Sequence, residues 1–126
     1  MTIPRATVFI VEDDLDVSDS VKAVATALGH TCHTFDCAEA VLAHWGVREC
    51  DCIIIDVDLP EMDGIELLST LRKAGSCVPA VFYTGRSDAR LRRAAEELGP
   101  VPVVRKGNDT RNIVECLARI VGGTSG

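Results

Sequence analysis

Four carboxylates fall within eight residues in the stretch Ile53-Ile54-Ile55-Asp56-Val57-Asp58-Leu59-Pro60-Glu61-Met62-Asp63-Gly64, directly after an apolar run. A second acidic group, Glu12-Asp13-Asp14, follows the apolar run Thr7-Val8-Phe9-Ile10-Val11. Two more apolar runs end in Thr84-Gly85 and in Arg105-Lys106. If these ends converge, two like charges about 4 Å apart repel by roughly 4 kcal/mol at an effective dielectric of about 20. Such a cluster holds either protons or a cation. The donors are oxygens, with no histidine or cysteine among them, which suits Mg²⁺ rather than zinc. A carboxylate beside such a cation, with a lysine and a hydroxyl at hand, is equipped to accept a phosphoryl group. The carboxylate is then the nucleophile, and cation and lysine neutralise the charge on the group in transfer.

Convergence depends on the elements that carry these residues, and two periods alternate along the chain. The run Thr7–Val11 is short, β-branched and apolar, which predicts a buried strand. Val17, Val21, Val24 and Leu28 then recur at helical spacing up to the helix stop Gly29. A more polar strand over about 30–35 suits a sheet edge, and Asp36-Cys37-Ala38-Glu39 has capping-box spacing ahead of Val41, Leu42 and Trp45. The third strand, 52–55, is the most continuously apolar and is expected at the centre. Ile65, Leu68 and Leu71 mark a helix ending near Gly75, and 78–83 is a fourth strand entered through Pro79. Leu91, Ala94, Ala95 and Leu98 mark the fourth helix, 101–104 the fifth strand, and Ile113, Val114, Leu117 and Ile120 the last helix.

Five strand–helix units in strict alternation predict a single doubly wound α/β domain with a parallel sheet covered on both faces. Ligands of such sheets sit at the carboxyl ends of the strands, where the functional residues above are placed. Domain limits of 1–121, followed by a flexible tail over 122–126, fit the composition.

Composition excludes several classes. The 126 residues match the size of one domain, with 47% hydrophobic and 25% charged residues, ordinary for a soluble fold. No apolar run approaches a membrane span and the N-terminus has no secretory pattern, so a cytoplasmic location is expected. A net charge of −6 argues against binding of nucleic acid or anionic lipid by this domain. The six cysteines, with no C-x-x-C pair, read as reduced and mostly core-filling.

With these positions in place, the chain resembles the receiver domain of two-component response regulators. The matching stretches are VFIVEDD, IIIDVDLPEMDG, VFYTG and VVRK, which together span about residues 6–121. The resemblance implies a flavodoxin-like sheet in the order 2-1-3-4-5. It implies Asp56 as phosphoacceptor, with Mg²⁺ held by Glu12, Asp13, Asp56 and the backbone carbonyl of Asp58. Thr84 would be the switch hydroxyl and Lys106 the partner of the phosphoryl oxygens. The donor would be a sensor histidine kinase, a phosphotransfer protein or a small phosphodonor. The face of the fourth helix, fifth strand and fifth helix would meet an effector or a second copy. Such a domain is a signalling switch and not a turnover enzyme.

The other acidic residues divide by position. Asp14 is expected to cap the first helix, Asp63 to open the third through Asp63-Gly64-Ile65-Glu66, and Glu61 to face solvent. In the family, the positions two beyond the phosphoacceptor and two beyond the switch threonine tune phosphoryl lifetime. Here they are Asp58 and Arg86, of opposite charge, expected to meet across the mouth of the site. Arg92 and Arg93 have Glu96 and Glu97 four residues on, so a solvated, internally paired face is expected beside Arg90.

Two positions depart from the family pattern. Val103 stands where an aromatic is usual, so switching by a ring flip is not expected. Gly107 stands where a proline with a cis bond is usual; cis costs some 3–4 kcal/mol before a non-proline residue, so a trans Lys106–Gly107 link and a mobile following loop are expected. Two other functions compete. A haloacid-dehalogenase-type phosphatase would share the look of Asp56-Val57-Asp58, but carries that pair after its first strand in a longer chain. A degenerate receiver would bind partners without phosphorylation. No output module is visible, consistent with a stand-alone receiver or a piece of a longer regulator.

Overall fold

The computed structural model describes residues 6–44, 50–86, 88–107 and 111–122. The elements alternate: β1 (Thr7–Val11), α1 (Leu15–Ala27), β2 (Thr31–Phe35), α2 (Ala38–His44), β3 (Cys52–Asp56), α3 (Gly64–Lys73), β4 (Ala80–Thr84), α4 (Ala89–Glu97), β5 (Val103–Arg105) and α5 (Arg111–Gly122). All four strand pairings are parallel and the order is β2-β1-β3-β4-β5. The polar β2 takes an edge and the apolar β3 the centre, as its unbroken burial requires.

Alternation along each strand divides the core in two. Phe9, Val11, Ile53, Ile55 and Phe82 face Val41 of α2, Leu67 and Leu71 of α3, and Leu91 of α4. Val8, Ile10, Ile54, Val81 and Tyr83 face Val21 and Ala25 of α1 and Ile113 and Leu117 of α5. Because every pairing is parallel, all five C-terminal ends point to one edge of the sheet.

Three of the strands differ from their expected limits, for reasons in the backbone. β4 starts at Ala80 and β5 at Val103, because Pro79 and Pro102 lack an N–H and enter the ladder only as acceptors, from Ile53 N at 3.0 Å and Phe82 N at 2.9 Å. At the other end, β3, β4 and β5 each run one residue further than their apolar runs, to Asp56, Thr84 and Arg105. Asp56 and Thr84 are therefore fixed by sheet hydrogen bonds rather than carried on loops. α5 reaches Gly122, while Trp45 and the stretch 108–110 lie outside the described residues.

The cysteines are all free, and only Cys52 and Cys116 are buried; Cys77, in the connection from α3 to β4, is exposed and fills no core. Burial pushes the Cys50 thiol up to about 12 and raises Cys52 and Cys116, so these thiols stay protonated and inert. Among the described residues, no helix is long and apolar enough to cross a membrane.

Gly64 anchors the start of α3 against the end of β3. Its N–H donates to Val57 O at 3.0 Å, and a Cβ there would lie 2.4 Å from the Asp56 carbonyl oxygen and 2.6 Å from Ile55 Cγ2. Only glycine allows this approach. Gly64→Ala is expected to destabilise the fold by about 1–3 kcal/mol in urea denaturation, since neither backbone nor Ile55 can yield without shifting Asp56. An unchanged midpoint would show that α3 can retreat freely.

Candidate functional site

The sheet order makes β1, β3 and β4 contiguous, with β5 next to β4. Residues ending β1 and β3 thus meet, and those ending β4 and β5 close on them from the side. Glu12 follows β1, its N–H donating to Phe35 O at 2.9 Å, and Asp56 ends β3. Both are 4% exposed, while Asp13 faces solvent. Oxygens from Glu12, Asp13 and Asp56 all lie within 4.8 Å of one another.

Lys106 follows β5 and reaches back over β4. Its backbone N–H donates to Thr84 O at 2.7 Å, and its Nζ lies 2.6 Å from Glu12 Oε1 and 3.4 Å from Asp56 Oδ1. The same ammonium sits 5.8 Å from the Tyr83 ring centroid. Asp56 Oδ1 also accepts the Asp58 N–H at 3.1 Å, and Glu12 Oε2 the Asp14 N–H at 3.3 Å. Thr84 is fully buried, and its Oγ1 accepts the Arg86 N–H at 3.2 Å.

Three carboxylates against one ammonium leave the site net negative. Burial pushes the Glu12 carboxyl up to about 7; Lys106 pulls it down, and neighbouring Asp56 adds to the rise. Burial works against the Lys106 charge too, but Glu12 and Asp56 outweigh it and hold the ammonium above its usual pKa. Glu12 Oε1 is buried and, apart from its ion pair with Lys106, has no aligned hydrogen-bond donor. An all-oxygen donor set in a net-negative, largely buried cluster fits a hard divalent cation.

The mouth of the site carries opposite charges, as expected from the sequence. Arg86 Nε donates to Asp58 Oδ1 at 3.0 Å, with both side chains about half exposed. A further guanidinium nitrogen, Nη1, donates to Asp88 Oδ2. Asp14 caps α1 by accepting from Asp16 N and Val17 N, and Asp63 caps α3 by accepting from Glu66 N at 2.9 Å. Glu61 is exposed, and it also holds a left-handed backbone with φ 62°, which nothing in its residue type signals. Val103 is partly buried against the α3–α4 face, and no cis peptide occurs among the described residues, so Lys106–Gly107 is trans.

Gly64 and Asp88 are the positioning residues that patterning did not single out. The glycine was legible only as part of a helix start. Asp88 carried a signal of its own, an N-cap residue just ahead of the apolar spacing of α4.

A family model described as the response regulator receiver domain matches residues 8–118. The C4-dicarboxylate transport transcriptional regulatory protein DctR of Rhodobacter capsulatus is 30% identical over 122 residues, 95% of this chain and 62% of that protein. The response regulator protein TmoT of Ectopseudomonas mendocina is 28% identical over 106 residues, 84% of this chain and 48% of that protein. The chain thus spans about half to three-fifths of these relatives. Among solved structures, a CheY-like response regulator receiver domain protein from Methanospirillum hungatei superposes with a TM-score of 0.88 at 21% identity, over 97% of this chain and 98% of that one.

The raised Glu12 pKa has a signed consequence. The folded metal-free protein binds this proton more tightly than the unfolded chain, so Glu12 lowers stability as pH rises from 4.5 to about 7 and adds no slope above that. A divalent cation held by these carboxylates would compete with the proton. The Mg²⁺-induced rise in Tm is therefore expected to be larger at pH 8 than at pH 5.5 in the wild type, and to lose that pH dependence in Glu12→Gln. An increment equal at both pH values in the wild type, or unaltered in the variant, would contradict this.

Proposed function

The chain belongs to the response regulator receiver domain family, and from that premise we propose that Asp56 is its phosphoacceptor. Receivers are signalling switches rather than turnover enzymes, and a receiver implies a histidine kinase as partner. The observation that carries the assignment is the meeting of Glu12, Asp13 and Asp56 within 4.8 Å, with Lys106 Nζ 3.4 Å from Asp56 Oδ1.

The Asp56 carboxylate attacks the phosphorus of a phosphohistidine on the kinase or on a phosphotransfer protein. The new O–P bond forms as the P–N bond breaks, and the imidazole leaves with the bond pair and takes a proton. Lys106, already shared between Glu12 and Asp56, follows the charge onto the phosphoryl oxygens. Thr84 Oγ1, held by the Arg86 N–H, turns its own proton toward the phosphoryl group. Mg²⁺ held by Glu12, Asp13, Asp56 and the Asp58 carbonyl would neutralise the incoming phosphoryl oxygens. Asp58 and Arg86 close the mouth and limit the entry of hydrolytic water.

The output follows as a change at the face of α4, β5 and α5, offered to an effector or to a second copy of the chain. A cytoplasmic location is usual for receiver domains, and the absence of nucleic-acid contact through this domain accords with the net charge of −6.

Incubation with acetyl phosphate and Mg²⁺ is expected to add one phosphoryl group by intact mass, absent without the metal and absent in Asp56→Asn. No gain in the wild type would favour a receiver that works by binding alone. For the barrier, Asp58→Asn and Arg86→Ala are each expected to shorten the phosphoryl half-life about two- to fivefold, the range set by a half-exposed ion pair. Half-lives equal to wild type in both would remove the barrier role.

A further inference from the structure

α4 is thinly anchored to the rest of the fold. Its nine residues bury only Leu91 and Ala95. Its C-terminal end is pinned by Arg72, whose Nε donates to Leu98 O at 3.0 Å while Nη1 donates to Val78 O at 2.8 Å. Its N-terminal end depends on Asp88, whose two carboxylate oxygens do different work. Oδ1 accepts the Leu91 N–H at 2.8 Å and caps the helix; Oδ2 takes the Arg86 guanidinium.

Arg86 is in turn bound at three points. Its N–H donates to Thr84 Oγ1, its Nε to Asp58 Oδ1 and its Nη1 to Asp88 Oδ2. Asp58 is one hydrogen bond from the reacting carboxylate, through its N–H to Asp56 Oδ1. An unbroken chain of polar contacts therefore runs from Asp56 through Asp58, Arg86 and Asp88 to the first turn of α4. The charges agree with it. The Leu91 N–H lowers the Asp88 pKa with help from Arg86, and Asp58 raises that of Arg86.

We propose that Arg86 and Asp88 form a latch that ties the loop after the phosphoacceptor to the N-terminus of α4, with Asp88 the positioning residue for the Asp58–Arg86 barrier. The lifetime part of this proposal rests on Asp56 being the phosphoacceptor; the mechanical part does not. A fork held at both ends stays aligned better than a lone exposed pair, because each carboxylate restricts the rotamers that the other needs. A turn of the Thr84 hydroxyl toward the phosphoryl group releases the Arg86 N–H, and through the same arginine reaches the cap of α4. Such a route reaches α4 without an aromatic at position 103.

Two measurements test the latch. The first is amide hydrogen exchange in unphosphorylated protein. Asp58→Asn and Arg86→Ala leave the Asp88 cap in place, yet each is expected to speed exchange of the Leu91 amide about two- to fivefold, with core strands unchanged. Unchanged Leu91 exchange in both variants would overturn the latch. The second uses Asp88→Ser, which keeps an N-cap oxygen but removes the carboxylate facing Arg86. Its phosphoryl half-life after loading with acetyl phosphate is expected to fall to that of Arg86→Ala, with helix content by circular dichroism as in wild type. A wild-type half-life in Asp88→Ser beside a shortened one in Arg86→Ala would overturn the positioning role. If the wild type takes no phosphoryl group, the phosphoacceptor assignment fails, and Leu91 exchange still decides the latch.

Discussion

Two buried carboxylates share one ammonium at the edge of this sheet, and most of the site follows from that shortage. Glu12 and Asp56 are each 4% exposed, and the only cation within ion-pair reach among the described residues is Lys106. Desolvating two anions against one cation is unfavourable even with good geometry. The arrangement is relieved by a proton on Glu12 or by a further positive charge. A fold that buries two of three clustered carboxylates beside a single lysine suits a further cation at that edge.

The parallel sheet makes the shortage unavoidable. Strands that run in one direction present all their C-terminal residues at one edge, and the order β2-β1-β3-β4-β5 puts the acidic ends of β1 and β3 side by side. Asp56 and Thr84 belong to the ladder itself, so neither can drift away from the cluster. Gly64 lets α3 begin directly against Asp56, and Lys106 is placed by its backbone bond to Thr84. Rigidity at the centre contrasts with the rim, where the half-exposed Arg86 side chain and a thinly packed α4 can respond to a change of charge.

Much of this was legible in the residues because two strong signals coincided. Period-two and helical spacing fixed the order of elements, and polar groups directly after apolar runs marked the edge at which they gather. The edge position of β2 and the centre position of β3 followed from their polarity alone. What patterning missed has local causes. Pro79 and Pro102 read as strand residues by their neighbours, but each lacks the N–H that the ladder requires. Gly64 read as part of a helix start, because a glycine does not announce which backbone approaches it. Glu61 takes a left-handed backbone in the bend between β3 and α3, against its own preference. Asp58 and Arg86 were paired by charge, whereas the second arm of the fork, to Asp88, depends on how α4 enters and was not visible from spacing.

The central functional claim is that Asp56, and no neighbouring carboxylate, receives the phosphoryl group. Borohydride reduces an acyl phosphate to an alcohol, so trapping after acetyl phosphate and Mg²⁺ followed by peptide mass spectrometry locates the modified residue. The account predicts homoserine at position 56 alone, dependent on the metal. Reduction at Asp13 or Asp58 instead, or at none of the three while phosphate is incorporated elsewhere, would contradict it.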